Sequence, residues 1–343
     1  MSTEKRTEIG EVGEFGLIDR LAANVKVYNK ETIKGIGDDT AVFDNGNDLT
    51  LITTDLLLEG VHFDLSYAPL QHLGYKAVAV NVSDIAAMNG IPKQITVSLG
   101  LSNRFSVEAV ESLYEGINAA CEAFNVDLVG GDTTSSQSGL VISITAIGTC
   151  TKELITYRNG AQNKDILCVT GDLGGAYIGL QVLSREKQEF VANPNMQPKL
   201  DNYPYVVGRQ LIPKARMDVI HELKELGVKP TSMIDVSDGL ASDLFHICKQ
   251  SGLGVAVYED KLPIDKETYE TAAEFSIDPN TCVMNGGEDY ELLFTIPQSD
   301  FEKVKNHPDI HVIGYMQEAE KGKVMVTRNN NVIDLKAQGW KHF

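Results

Sequence analysis

The sequence predicts an α/β (α+β) protein built as two mixed-sheet domains, and three observations predict it. Short β-type runs alternate with helical stretches along the chain. A length of 343 residues is enough for two cores. Turns that join glycine to aspartate or glutamate beside β-type runs recur in both halves, at GIGDD, GGDTT, VSDG and GGED. The composition, 43% hydrophobic and 23% charged, is that of an ordinary globular chain.

Residues 13–23 (GEFGLIDRLAA) read as a short amphipathic helix. Residues 35–62 follow, with Asp38 and Asp39 in a turn loosened by Gly35 and Gly37, and two β-type runs, the second ended by Asp55. Short carboxylates so placed suit a hard cation such as Mg2+, and Asp38 and Asp39 also fit a plain turn cap. Residues 70–88 are apolar nearly all round, the mark of a buried helix. Asn81 and Asp84, three apart, share a face of it. A buried carboxylate there is costly unless it is paired or binds metal.

Residues 94–101 read as a strand and 106–124 as a helix capped by Ser106. VDLVGGDTT reads as a buried strand ending in Gly130, Gly131, Asp132, Thr133 and Thr134. Its glycines would let a ligand approach the backbone, with Asp132 where α/β folds hold ligands. With 140–150, four strands and their helices make a first domain over residues 1–151, and residues 152–343 make the second.

In that second half, a strand at 165–170 meets Gly171, Gly174 and Gly175 and runs into a helix. This fits either a phosphate cradle or a tight strand-helix junction, and it has no Walker lysine. Arg158, in the polar loop before it, has the charge to meet a phosphate. Residues 183–205 are polar and poorly periodic, an insertion or a mobile loop. Residues 233–250 repeat the earlier theme: a strand ends in Asp235, Ser237 and Asp238, and Gly239 leads into a helix carrying Asp243. Those three carboxylates repel unless cations or water screen them. Residues 254–260 form another strand, and 285–294 bring two glycines, Glu288, Asp289 and Glu291 before a further one.

A net charge of −18 argues against a nucleic-acid partner. For a phosphate substrate it calls for divalent cations as bridges. Many aspartates without clustered Cys or His favour Mg2+ or Mn2+ over zinc. Five scattered cysteines read as reduced thiols of a cytoplasmic protein. No apolar run approaches the ~18 residues of a membrane span, and the amino terminus shows no signal-peptide core.

GEFGLI, GIGDD, TTDLLLEGVHF, YKAVAVNVSDIAAM, GGDTT, IDVSDGLASDL, GGEDYEL and a late GW occur in that order. Over residues 13–340 the chain closely resembles the thiamine-monophosphate kinase family, in a superfamily shared with aminoimidazole ribonucleotide synthetase and selenophosphate synthetase. The resemblance implies direct in-line transfer of a phosphoryl group from ATP to thiamine monophosphate, with several Mg2+ ions. It implies Mg2+ ligands at Asp39, Thr53, Thr54, Asp55, Asp84, Asp132, Asp235 and Asp238. ATP contacts are implied at Gly131, Asp132, Arg158 and Ser237, with Tyr114 near the nucleotide. His62, Glu288 and Trp340 match the pocket for thiamine phosphate. Catalysis falls on Asp55, Asp84, Asp132, Arg158 and Asp235. The implied fold holds the active site in a cleft between the two domains, with a cross-subunit β-barrel joining the first domains of a homodimer.

Two loops depart from the family: TGDLGGA lacks an Asp-Ser pair, and IPKAR keeps Pro213 and Arg216 of RPxPR but not its second proline. The alternatives are another ATP-dependent enzyme of the superfamily, a phosphohydrolase, or a non-catalytic acidic cation-binding protein. The last would show an EF-hand loop, and the sequence has none.

Overall fold

The computed structural model describes residues 7–338, which build two mixed sheets. The first contains β1 (Thr32–Lys34), β2 (Ala41–Asp44), β3 (Leu49–Leu58), β4 (Ile91–Leu101), β5 (Asp127–Ser135) and β6 (Val141–Cys150). Their order is β1-β2-β3-β6-β4-β5, with β4 and β5 parallel and the other pairs antiparallel. The second contains β7 (Ile166–Thr170), β8 (Ser232–Asp235), β9 (Leu253–Tyr258), β10 (Leu292–Ile296), β11 (Ile310–Glu318), β12 (Lys323–Val326) and β13 (Val332–Asp334). It runs β13-β12-β9-β11-β7-β10-β8, and only β9 and β12 pair in parallel.

Helices α1 (Ile9–Ala22), α2 (Leu70–Ala87) and α3 (Val107–Phe124) go with the first sheet in sequence. With the second come α4 (Gly175–Ala192), α5 (Pro204–Leu211), α6 (Met217–Glu225), α7 (Leu240–Ser251), α8 (Lys266–Glu274), α9 (Pro279–Asn285) and α10 (Phe301–Val304). As its all-round apolar sequence demands, α2 is buried, packing on β3, β4 and β6 and touching β8 of the second sheet. One apolar core therefore runs from Leu51, Val78 and Ile85 to Met233, Leu292 and Phe294. Ser106 caps α3 as expected, its side chain accepting from the Ala109 amide.

The alternation of β3 sets up the site. Leu49, Leu51 and Leu57 point into the core, and Thr54 and Leu56 point out. Thr53 and Asp55 therefore share the inward face.

Four expectations are corrected. The first sheet has six strands, since the turn-rich 30s and 40s add the short β1 and β2. Asp55 lies within β3, not at its end, because pairing with β6 continues to Leu58. VDLVGGDTT is not a buried strand ending in a loop. It is an exposed edge strand in which GGDTT itself pairs with β4. Residues 183–205 are not an insertion or loop in their first half, because α4 continues to Ala192 with Leu183 buried. The amino-terminal helix is broken at Gly13, whose φ of 68° leaves the helical region, and it buries no side chain. The four buried cysteines and the half-buried Cys121 are all free thiols.

Candidate active site

Asp39 stands in the turn before β2, Asp84 near the end of α2, and Asp235 at the end of β8. One carboxylate oxygen from each lies within 4.8 Å of the others. Local bonds aim them. Thr53 donates to Asp84 Oδ2, Ser83 donates to Asp235 Oδ2 at 2.6 Å, and Asn81 Oδ1 accepts from the Asp55 amide at 3.2 Å. Asn81, Ser83 and Asp84 explain why an apolar helix carries polar residues: all three hold or form the cluster.

Burial disfavours the charged forms, and the carboxylates raise one another. The Asp84 carboxyl is pushed well above its ordinary range by burial, then by Asp55, Asp235 and Asp39. Asp235 is pushed up to about 7 by burial and then by Asp39, and Asp55 to about 6 by burial. One guanidinium opposes them. Arg158 grips Asp39 with a fork, Nη2 to Oδ1 at 2.6 Å and Nε to Oδ2 at 3.1 Å. Asp38 accepts from the Arg158 amide at 3.2 Å and pairs with Lys34 at 3.3 Å. Asp38 thus steadies Arg158 and the turn. Four acids against one base is a donor set that fits hard divalent cations.

The cluster borders a cavity of about 790 Å³. Asp55, Asp84, Arg158, Asp235, Ser237 and Asp238 line it, and so do His62 and Glu288. His62 Nδ1 accepts from the Leu58 amide at 3.0 Å. Glu288 and Tyr290 adopt left-handed backbone, φ 58° and 53°, a conformation costly for non-glycine residues and common at functional sites. Asp243, the third carboxylate of the 233–250 stretch, also lines the cavity and accepts from the Asp238 amide at 3.2 Å. His246 and Tyr177 are lining residues that the sequence did not flag. Burial, and then Arg158, hold the His246 imidazole down at about 4. Only proximity in three dimensions marks these last two.

Other expected residues lie elsewhere in the chain. The Thr54 hydroxyl donates to the Ile144 carbonyl, on the opposite face of β3 from Asp55. Tyr114 packs on α3 against the core, away from the cavity lining. A Cβ at Gly131 would meet the Val97 carbonyl at 1.8 Å, so the close approach of β4 requires this glycine. Asp132 is exposed on β5. It is in register with Ser98, Ser143 and Leu56, on the outward face and three strands from β3, about 14 Å away at ~4.8 Å per strand. Trp340 lies outside the described residues. The glycine turn before α4 is a closed junction, because Asp289 accepts from the Gly174 and Ala176 amides at 2.7 and 3.2 Å.

The family models for AIR synthase related proteins match this chain, the N-terminal domain over residues 37–150 and the C-terminal domain over residues 165–327. Thiamine-monophosphate kinase of Bacillus subtilis is 34% identical over 339 residues, covering 96% of this chain and 99% of that protein. The Aquifex aeolicus enzyme of the same name is 35% identical over 336 residues, covering 97% and 99%. The structure of AaThiL complexed with AMPPCP and TMP superposes with a TM-score of 0.83 at 33% identity, covering 100% of each chain.

Proposed function

The chain belongs to the thiamine-monophosphate kinase family, and from that membership we propose that it uses ATP to phosphorylate thiamine monophosphate, giving thiamine diphosphate. A phosphate oxygen of thiamine monophosphate attacks the terminal phosphorus of ATP in line. A new P–O–P bond forms as the β,γ bond breaks and ADP leaves. The acceptor is already an ionised phosphate, so no strong general base is required. The observation that carries the reading is the undercompensated carboxylate cluster on the wall of a cavity whose volume is that of a small-molecule site.

Asp39, Asp84 and Asp235, with Asp55, Asp238 and the Thr53 hydroxyl beside them, would hold Mg2+. Bound there, Mg2+ supplies the positive charge that lets two polyanions approach. Arg158 and Ser237 face the nucleotide phosphates in this reading, and Arg158 stabilises charge on the transferred group. His62 and Glu288 receive the thiamine moiety, with Glu288 opposite its cationic ring. Trp340 joins them on the ground of sequence alone.

The outward face of the first sheet supports a homodimer with a shared barrel. Thr54, Leu56, Ser98 and Asp132 are exposed or half-buried there, beside the open edge of β5. An open strand edge is normally covered. In such a pair, Gly131, Asp132 and Tyr114 serve the cleft of the other subunit, which accounts for their distance from their own. Mixing inactive Asp132→Asn with inactive Asp55→Asn would then restore part of the activity, and no recovery in mixed dimers would overturn the shared site. The domain division at 151/152 and a cytoplasmic location belong to the same reading. Among the described residues no helix is long and apolar enough to cross a membrane.

The direct test supplies Mg-ATP with thiamine monophosphate, and thiamine as control. Thiamine diphosphate and ADP should form only from the monophosphate, and EDTA should stop both. ADP without diphosphate would send the assignment to another superfamily reaction.

A further inference from the structure

Helix α2 buries thirteen of its residues, and Lys76 is the only charged one fully enclosed, Asp84 being partly open to the cavity. A buried ammonium is stable only when paired. Lys76 Nζ lies 3.0 Å from Glu288 Oε1 and donates to the Gln210 carbonyl at 3.1 Å. Gln210 Nε2 donates to Glu288 Oε2 at 2.7 Å. Both oxygens of Glu288 are therefore held, and its backbone amide is tied to the Ser237 carbonyl at 2.8 Å. Glu288 and Gln210 line the cavity, while Lys76 stands behind them.

The same helix carries Ser83, which holds Asp235, and Asp84. Lys76 precedes Asp84 by two turns, about 12 Å of helix at 1.5 Å per residue. One buried rod thus supports the carboxylate cluster at one point and Glu288 at another.

We propose that Lys76 is a positioning residue for the acceptor substrate. With Gln210 it holds the Glu288 carboxylate in one orientation, so that α2 sets the spacing between the thiamine ring and the carboxylate cluster. The proposal rests on the reading of Glu288 as a thiamine-binding group.

Steady-state kinetics with each substrate varied, together with thermal melts, would be measured for Lys76→Met, Glu288→Gln and the double variant. Lys76→Gln serves if Lys76→Met does not fold. The Lys76 and Glu288 single variants should each raise KM for thiamine monophosphate about tenfold, the scale of one lost charge-assisted contact. KM for ATP should stay within about twofold, and the double variant should be no worse than Glu288→Gln alone. An unchanged KM in the Lys76 variant beside a raised one in Glu288→Gln overturns the positioning role. Additive effects, or KM for both substrates rising with a fall in Tm, overturn it in favour of plain packing. An unchanged KM in Glu288→Gln removes the underlying reading of Glu288 and the proposal with it.

Discussion

Two groups of buried carboxylates lie in this molecule, and their counter-charges differ. Asp55, Asp84 and Asp235 line the cavity wall with Asp39 beside them, and the one guanidinium there, Arg158, is taken up by Asp39. Beside the end of β7, Glu291 sits between Arg209 at 2.9 Å and Arg216 at 2.7 Å, and takes a third bond from Thr170. Arg209 also lies 3.6 Å from Asp289, and Arg216 reaches Asp218 and Asp309 at 3.0 and 3.1 Å. Burial of acid is common to both. Compensation separates them: the second group is an internal ion network, and the first is left with charge for a ligand to neutralise. A buried aspartate is therefore a pointer to metal only when its neighbours fail to balance it.

The same kind of substitution should have opposite effects in the two groups. Asp55→Asn is expected to lower turnover by ~10²–10³-fold or more, while the metal-free protein melts at a higher temperature because a repelling charge is gone. Near-normal turnover in the folded variant would sink the cation assignment. Glu291→Gln should instead destabilise the fold by about 3–5 kcal/mol, because two buried guanidinium groups lose their shared partner. Urea denaturation reads this directly, and a loss below ~1 kcal/mol would mean the network is screened by water.

Titration sharpens the comparison. Asp55 and Asp235 are pushed up to about 6 and about 7 from an ordinary 3.8, so between those values the folded protein holds protons that the unfolded chain has released. This contribution to stability in EDTA should accordingly be full below about pH 4 and be lost progressively as the pH rises from there through 6 to 7, with ~1–2 kcal/mol of the loss falling between pH 6 and 8. Mg2+ should flatten that fall, and a melting temperature that rises from pH 6 to 8 in EDTA would contradict the cluster's electrostatics. The mildest effect is expected at Asp289→Asn. Burial already outweighs the pull of Arg209 and raises that carboxyl to about 7, and an amide oxygen still accepts from one of the two amides that the carboxylate holds. The cost should be ~1 kcal/mol or less; a larger loss by chemical denaturation would place Asp289 with Glu291.

Motifs read differently once packed. GGEDYEL contributes to both groups: Glu288 lines the cavity, whereas Asp289 and Glu291 turn inward to the ion network. Arg216, the residue retained in the altered IPKAR loop, is a partner of Glu291, so that loop departs from the family without losing its buried ion pair.

By itself the sequence determined what local periodicity and composition can carry. The all-round apolar α2 had to be buried, its Asp84 had to find a partner or a cation, and Ser106 had to start a helix. The excess of acid without clustered His or Cys limited the metal chemistry, and the ordered motifs marked the family. Tertiary structure alone decided that Asp39, Asp84 and Asp235 converge, that Asp132 faces away on an open edge, and that Lys76 reaches Glu288. Strand and helix periods choose a face within one element. Charge balance depends on which elements cross, and that follows from sheet order and core packing across the whole chain.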